Sequence, residues 1–160
     1  MSISDVFKSS NYSTDKYDLG YIDGFYDSFL SKYEKTPISF LEIGVGSGES
    51  TRLWKDYFYK GSKIFAGDIA PFNHIEGVTS IFGDMYSSEK ASKFPDKCLD
   101  LIIDDGPHSE ESFILLMERY FPKLKEGGNL VIEDIIISED RKSTRLNSSH
   151  VSESRMPSSA

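Results

Sequence analysis

Residues 40–49, Phe-Leu-Glu-Ile-Gly-Val-Gly-Ser-Gly-Glu, run from an apolar stretch straight into three glycines at alternate positions. The pattern predicts a buried strand, a tight turn and the start of a helix, the connection on which α/β proteins build nucleotide sites. Glycine lets the backbone take φ values closed to other residues, and it lets a ligand approach main-chain N–H groups with no Cβ in the way. The spacing is G-x-G-x-G and not the G-x-G-x-x-G of dinucleotide folds. Taken alone, the loop does not separate a ligand site from a plain glycine turn.

Four more apolar runs follow, and each ends in acid. Residues 63–68 end at Asp68, 78–84 at Asp84, 99–105 at Asp104 and Asp105, and 129–134 at Glu133 and Asp134. In an open parallel sheet the C-terminal ends of the strands line one crevice, so these carboxylates are expected to converge. Asp68 falls 20 residues after Gly48, where a carboxylate can accept both hydroxyls of a ribose.

Between the strands lie helical patterns. Tyr21, Phe25, Phe29 and Tyr33 recur every four residues and share one face, an expected packing stripe that Thr36-Pro37 ends. Leu53, Trp54, Tyr57 and Phe58 mark a helix after the glycines. Phe113, Ile114, Leu116, Met117, Tyr120 and Phe121 mark another, opened by Glu110 and Glu111. Residues 1–12 are polar and expected to be loose, and 87–94 a short helix or loop. The alternation predicts an α/β fold with a Rossmann-like, doubly wound parallel sheet and right-handed crossovers.

At 160 residues, 38% hydrophobic and 28% charged, the chain has one domain's worth of core. No apolar run approaches the ~20 residues of a membrane span, and the start lacks the layout of a secretion signal, so a cytoplasmic location and no membrane partner are expected. Cys98 has no intrachain partner and is expected to be a small packing residue. The net charge of −8 opposes binding to nucleic acid.

Asp105, Glu133 and Asp134 end what should be adjacent strands, and three carboxylates in one small space repel unless a cation holds them. A hard divalent ion fits, with Mg²⁺ first because the ligands are oxygen and water. His108 reaches the same place from the loop after Asp105 and is a candidate general base. His74 is expected at the surface.

At this point the chain resembles the class I S-adenosylmethionine-dependent methyltransferases. Residues 41–48 are similar to their first motif, Asp68 to the ribose acid, and Asp84-Met85 to the pair flanking adenine. Asp104-Asp105-Gly106-Pro107-His108 with Glu133-Asp134 resembles the metal-dependent sugar O-methyltransferases of macrolide and aminocoumarin biosynthesis, as do Ser13-Thr14-Asp15-Lys16, Tyr21 and Tyr26. The likeness covers about residues 11–138, with departures at Pro107, where serine is common, and Gly20, where histidine often stands.

The resemblance implies S-adenosyl-L-methionine held by Thr14, Asp15, Lys16, Glu42, Gly44, Gly46, Gly48, Asp68, Asp84, Met85 and Asp104. It implies Mg²⁺ held by Asp105, Glu133 and Asp134, with His108 as catalytic base. The expected reaction is O-methylation of a small-molecule or sugar hydroxyl. Two alternatives remain: an NAD(P)-dependent Rossmann oxidoreductase, for which Tyr86-x-x-x-Lys90 stands too early in the chain, or a non-catalytic cofactor-binding fragment.

Residues 140–150 have no periodicity. They resemble the in-frame translation of a sequencing-adapter oligonucleotide, and 154–160 resemble its continuation. The expectation is that the natural sequence stops near Glu139, leaving an N-terminal helical lid over 1–35, an incomplete methyltransferase core over 36–139 truncated after strand 5, and a non-native disordered tail over 140–160. Setting aside the tail's four basic and two acidic side chains takes the net charge from −8 to −10. The fifth strand would then be an apolar open edge, which favours a homo-oligomer.

Overall fold

The structure, a computed structural model, describes residues 1–135 and the backbone of 152–155. Most of the tail, with His150, lies outside the described residues. The N-terminal residues expected to be loose form α1 (Ile3–Ser9). Ser2 and Asp5 close a capping box, and Ile3 and Val6 are buried. A seven-residue helix offers too few turns for its period to stand out from the polar residues around it. After α2 (Asp15–Asp18) the aromatic stripe becomes one helical run: a π-turn at Ile22–Tyr26, α3 (Asp27–Leu30) and a 3₁₀ turn at Ser31–Tyr33. The wider π-turn brings Tyr26, rather than Phe25, onto the face of Tyr21. Tyr26 is fully buried, and Phe25 only half-buried.

The rest alternates as the sequence predicts. β1 (Ser39–Ile43) leads to α4 (Glu49–Tyr57). β2 (Lys63–Asp68), β3 (Val78–Phe82) and the short α5 (Ser88–Ala91) follow. β4 (Leu99–Asp104), α6 (Glu110–Tyr120), a 3₁₀ turn at Phe121–Lys123 and β5 (Leu124–Ile132) complete the core. The strand order is β3-β2-β1-β4-β5, with all four pairings parallel.

Residues alternate across the sheet. Phe40, Leu101, Ile103 and Val131 pack under the N-terminal helices and α4, around Trp54 and Tyr26. Leu41, Ile43, Ile102 and Leu130 pack under α5 and α6. Ile114 and Met117 of α6, expected in the helix's apolar pattern, face outward at 52% and 38% exposure.

One element differs from expectation. Ser152–Arg155, expected to be part of an unstructured tail, forms β6 and pairs antiparallel with 129–132 on the outer edge of β5. An unpaired edge offers a ladder of N–H and C=O groups that an extended segment can join whatever its side chains are. No helix among the described residues is long and apolar enough to cross a membrane.

The chain turns from β1 to one side of the sheet and returns through β4 on the other, so the switch point lies between β1 and β4. Ile43, Asp104 and Ile132 stand level across β1, β4 and β5. Gly44, Asp105 and Glu133 therefore leave the sheet side by side. The ladder runs one step further, with Asp105 N–H donating to the Ile43 carbonyl at 2.8 Å and Glu133 N–H to the Asp104 carbonyl at 2.9 Å.

Candidate active site

A cavity of about 700 Å³ opens at that switch point, a size that suits a cofactor-sized ligand. Its walls are the glycine loop (Gly44, Val45, Gly46, Ser47), the ends of β2 and β3 (Asp68, Asp84, Met85), the β4 loop (Asp105, Gly106, Pro107) and, from the N-terminal segment, Ser13, Thr14, Asp15 and Lys16. Gly44 has φ +83°, and a Cβ there would overlap the Asp105 carbonyl oxygen. Glycine at this position lets the β1 and β4 loops touch. A Cβ on Gly67 would likewise overlap the Met85 side chain.

Asp68 Oδ2 accepts N–H bonds from Val45 at 2.7 Å and Gly46 at 2.9 Å, and Oδ1 accepts from Ala70 at 2.8 Å. Partial burial pushes its pKa up, but these amides outweigh it and hold the carboxyl below its usual range. The acid thus fixes the glycine loop and is part of the cavity wall.

Of the expected cofactor contacts, Thr14, Asp15, Lys16, Gly44, Gly46, Asp68, Asp84 and Met85 line the cavity, while Glu42, Gly48 and Asp104 do not. Glu42 is fully buried beneath the loop, accepting from Thr51 Oγ1 and, at 2.9 Å, from Trp54 Nε1. It ties α4 to β1. Gly48 is the N-cap of α4, with φ +88°. Asp104 is 1% exposed and accepts the Tyr86 hydroxyl; burial raises its pKa to about 7. Glu49, Ser50 and Tyr86 line the wall although sequence reasoning assigned them no ligand role.

Beside the cavity, ligand atoms of Asp105, His108 and Asp134 lie within 4.8 Å of one another. His108 Nδ1 is 3.1 Å from the Glu133 carbonyl oxygen, and Nε2 is 3.6 Å from Asp105 Oδ1. A carbonyl can only accept, so Nδ1 carries the proton and the Nε2 lone pair is left to meet either a metal ion or a proton. His108 and Asp134 both hold φ near +50°, a conformation that costs a non-glycine residue about 1–3 kcal/mol and tends to collect at functional sites. Asp134 is held by the Tyr21 hydroxyl.

Glu133, expected beside Asp105 and Asp134 as a third ligand, turns inward. It is 1% exposed, with Oε1 accepting from Tyr26 and Oε2 from Lys16. Lys16, itself 2% exposed, also reaches Asp105 Oδ2 at 2.6 Å. Burial works against its charge, but Glu133, Asp105 and Glu42 outweigh that and raise its pKa, so it remains an ammonium. Burial also pushes Glu133 up to about 7, with Lys16 pulling the other way. The roles of Lys16, Tyr21 and Tyr26 within the carboxylate cluster were not legible from local patterns. His74 is exposed, as expected.

A family model described as a methyltransferase domain matches residues 41–135, the span that contains the glycine loop, the acids at the strand ends and the histidine. The chain belongs to the methyltransferase domain family. The chain is 32% identical over 141 residues to demethylmacrocin O-methyltransferase of Streptomyces fradiae and to mycinamicin VI 2''-O-methyltransferase of Micromonospora griseorubida, covering 79% of itself and 35% of each. It spans about a third of the length of these curated relatives. Among solved structures, the MycE methyltransferase in complex with Mg, SAH and mycinamycin VI is similar at TM-score 0.67 and 28% identity, over 84% of this chain and 39% of that one. These likenesses bear out the resemblance to the macrolide sugar O-methyltransferases.

Proposed function

We propose that this chain carries the cofactor-binding and metal-binding part of an S-adenosylmethionine-dependent O-methyltransferase acting on a hydroxyl of a small molecule, of the sugar kind. The observation that carries the reading is the position of Asp105, which belongs both to the cavity wall and to the Asp105–His108–Asp134 cluster. A ligand in the cavity and an acceptor at the cluster would then meet across one side chain. The relatives support the substrate class, two of them being named mycinamicin VI 2''-O-methyltransferase and L-olivosyl-oleandolide 3-O-methyltransferase. MycE was solved with Mg and SAH.

The residues suit both groups. Asp68 offers acceptors for ribose hydroxyls, and Met85 with Ile69 offers apolar surface to an adenine. Two carboxylates, Asp105 and Asp134, with the His108 imidazole beside them, form a donor set that fits a divalent ion such as Mg²⁺. S-adenosylmethionine supplies a methyl group on a sulfonium, and a divalent ion supplies positive charge that makes a nearby hydroxyl more acidic. His108, with Nδ1 on the Glu133 carbonyl and Nε2 toward the cluster, would accept the hydroxyl proton as the oxygen attacks. The loop and strand ends would hold the two reactants together, and such positioning provides much of the acceleration.

A small-molecule acceptor and a cytoplasmic location belong to the same reading, as does the lack of a nucleic-acid or membrane partner, which the acidic charge supports by opposing anionic surfaces. Calorimetry with S-adenosylhomocysteine and NAD⁺, each with and without Mg²⁺, tests it. Binding of the homocysteine compound alone is expected, and preference for NAD⁺ would favour an oxidoreductase.

A further inference from the structure

Lys16 occupies the place between Asp105 and Glu133 where a cation is most favourable. Its ammonium bonds to Asp105 Oδ2 and Glu133 Oε2, and the side chain is 2% exposed. Tyr26 takes the other oxygen of Glu133, so both oxygens of that carboxylate are engaged by the N-terminal segment. Asp105 is divided, with one oxygen toward Lys16 and the other toward His108.

We propose that Lys16 is a resident place-holder for the divalent ion: its ammonium neutralises Asp105 and Glu133 when no ion is bound, and an arriving ion displaces it. This rests on the metal reading above and adds a competitor that the chain itself provides. The charges favour the exchange. Lys16 sets one positive charge against the carboxylates of Asp105 and Glu133, and a divalent ion would set two. Like charges so close would repel strongly at the low effective dielectric of a buried site, so ammonium and ion cannot share both carboxylates.

The placement of Lys16 gives the exchange a consequence. It sits on α2, a four-residue helix capped by Thr14, and this segment forms one wall of the cavity. Apart from Lys16, the wall is held by weaker ties, such as Ser13 N–H to Glu49 at 3.2 Å and the Tyr17 ring stacked on Phe7. An ion that releases Lys16 therefore loosens its strongest link to the core and turns an ammonium toward the cavity, where an anionic group of a ligand can take it. Metal and cofactor would be linked through one side chain.

The test uses the 160-residue chain and Mn²⁺ as the probe, followed by the electron-spin signal of free Mn²⁺. Lys16→Met should bind Mn²⁺ on the order of tenfold or more tighter than the parent, because the competing charge is gone. In the parent, acetylation of Lys16 by an N-hydroxysuccinimide ester, read by peptide mass spectrometry, should be slow without metal and several-fold faster with saturating Mn²⁺. Equal or weaker Mn²⁺ affinity in Lys16→Met overturns the proposal and leaves the metal reading standing. Absence of binding to either protein removes both. Near-UV circular dichroism checks the fold of the variant; if it is lost, acetylation of the parent decides, and an unchanged rate overturns the exchange.

Discussion

His108 directs its Nδ1 at the main-chain carbonyl of Glu133, 3.1 Å away, across the gap between the β4 and β5 loops. That bond sets the tautomer and aims Nε2 at the carboxylate cluster, as the proposed role of base requires. His108→Ala should lower the rate of methyl transfer by about 10²–10⁴-fold while S-adenosylhomocysteine affinity, read by calorimetry, stays put. His108→Asn can keep a donor to Glu133 but brings no base. If Asn restores the rate, His108 only positions the loops.

Asp68 ties the glycine loop and lines the cavity. Asp68→Ala removes the acceptor for ribose hydroxyls and for the Val45 and Gly46 amides together, so S-adenosylhomocysteine binding should weaken by about 1–3 kcal/mol. The amides depress its pKa below the usual value of 3.8, so the carboxylate's contribution is complete above that value and disappears only as pH falls through the depressed one. Affinity measured from pH 7 down to 4 should therefore stay flat in the parent with respect to this group. A loss beginning near pH 6 would mean that another acid controls the site.

Much of the site was legible because it is written in runs. An apolar strand ending in acid fixes both the strand and the end of the sheet at which the acid emerges, so the chain positions of Asp68, Asp84, Asp105 and Glu133 followed from pattern alone, but the inward turn of the Glu133 side chain did not. Contacts between distant segments follow no local period. Lys16 meets Glu133 across 117 positions of sequence and Tyr26 meets it across 107. Glu42 sits in the middle of β1, and only the burial of its side chain over Trp54 separates a structural acid from a ligand contact. The π-turn that brings Tyr21 and Tyr26 onto one face is likewise invisible to a reading based on a 3.6-residue repeat.

Glu42 gives a prediction about pH. Burial raises its pKa above the ordinary 4.5, against the pull of Lys16 and the hydrogen bonds from Thr51 and Trp54. The folded chain therefore resists ionisation that the unfolded chain accepts, and stability attributable to this group falls as pH rises above the ordinary value toward the raised one. Glu42→Gln keeps an acceptor for Trp54 and a polar partner for Thr51 and does not titrate. The melting temperature of the parent relative to Glu42→Gln should decline from pH 4.5 to 7. A constant difference would mean that Glu42 is ionised at no cost.

The glycine loop separates backbone strain from steric exclusion. Gly44 and Gly46 both have positive φ, +83° and +55°. At Gly46 nothing lies within 4 Å of the place a methyl group would take, so Gly46→Ala meets only the penalty of a left-handed L-residue, about 1–2 kcal/mol. At Gly44 the same methyl would overlap the Asp105 carbonyl oxygen, next to carbon and nitrogen of the same loop. Those atoms are main chain, fixed by the Asp105 N–H bond to Ile43, and cannot swing away as a side-chain tip would. Gly44→Ala should therefore cost more than about 4 kcal/mol in denaturant unfolding, or leave the chain unfolded, since the β1 and β4 loops must part to admit it. If the two variants unfold at the same denaturant concentration, the loops are not in contact and the site does not close at Asp105.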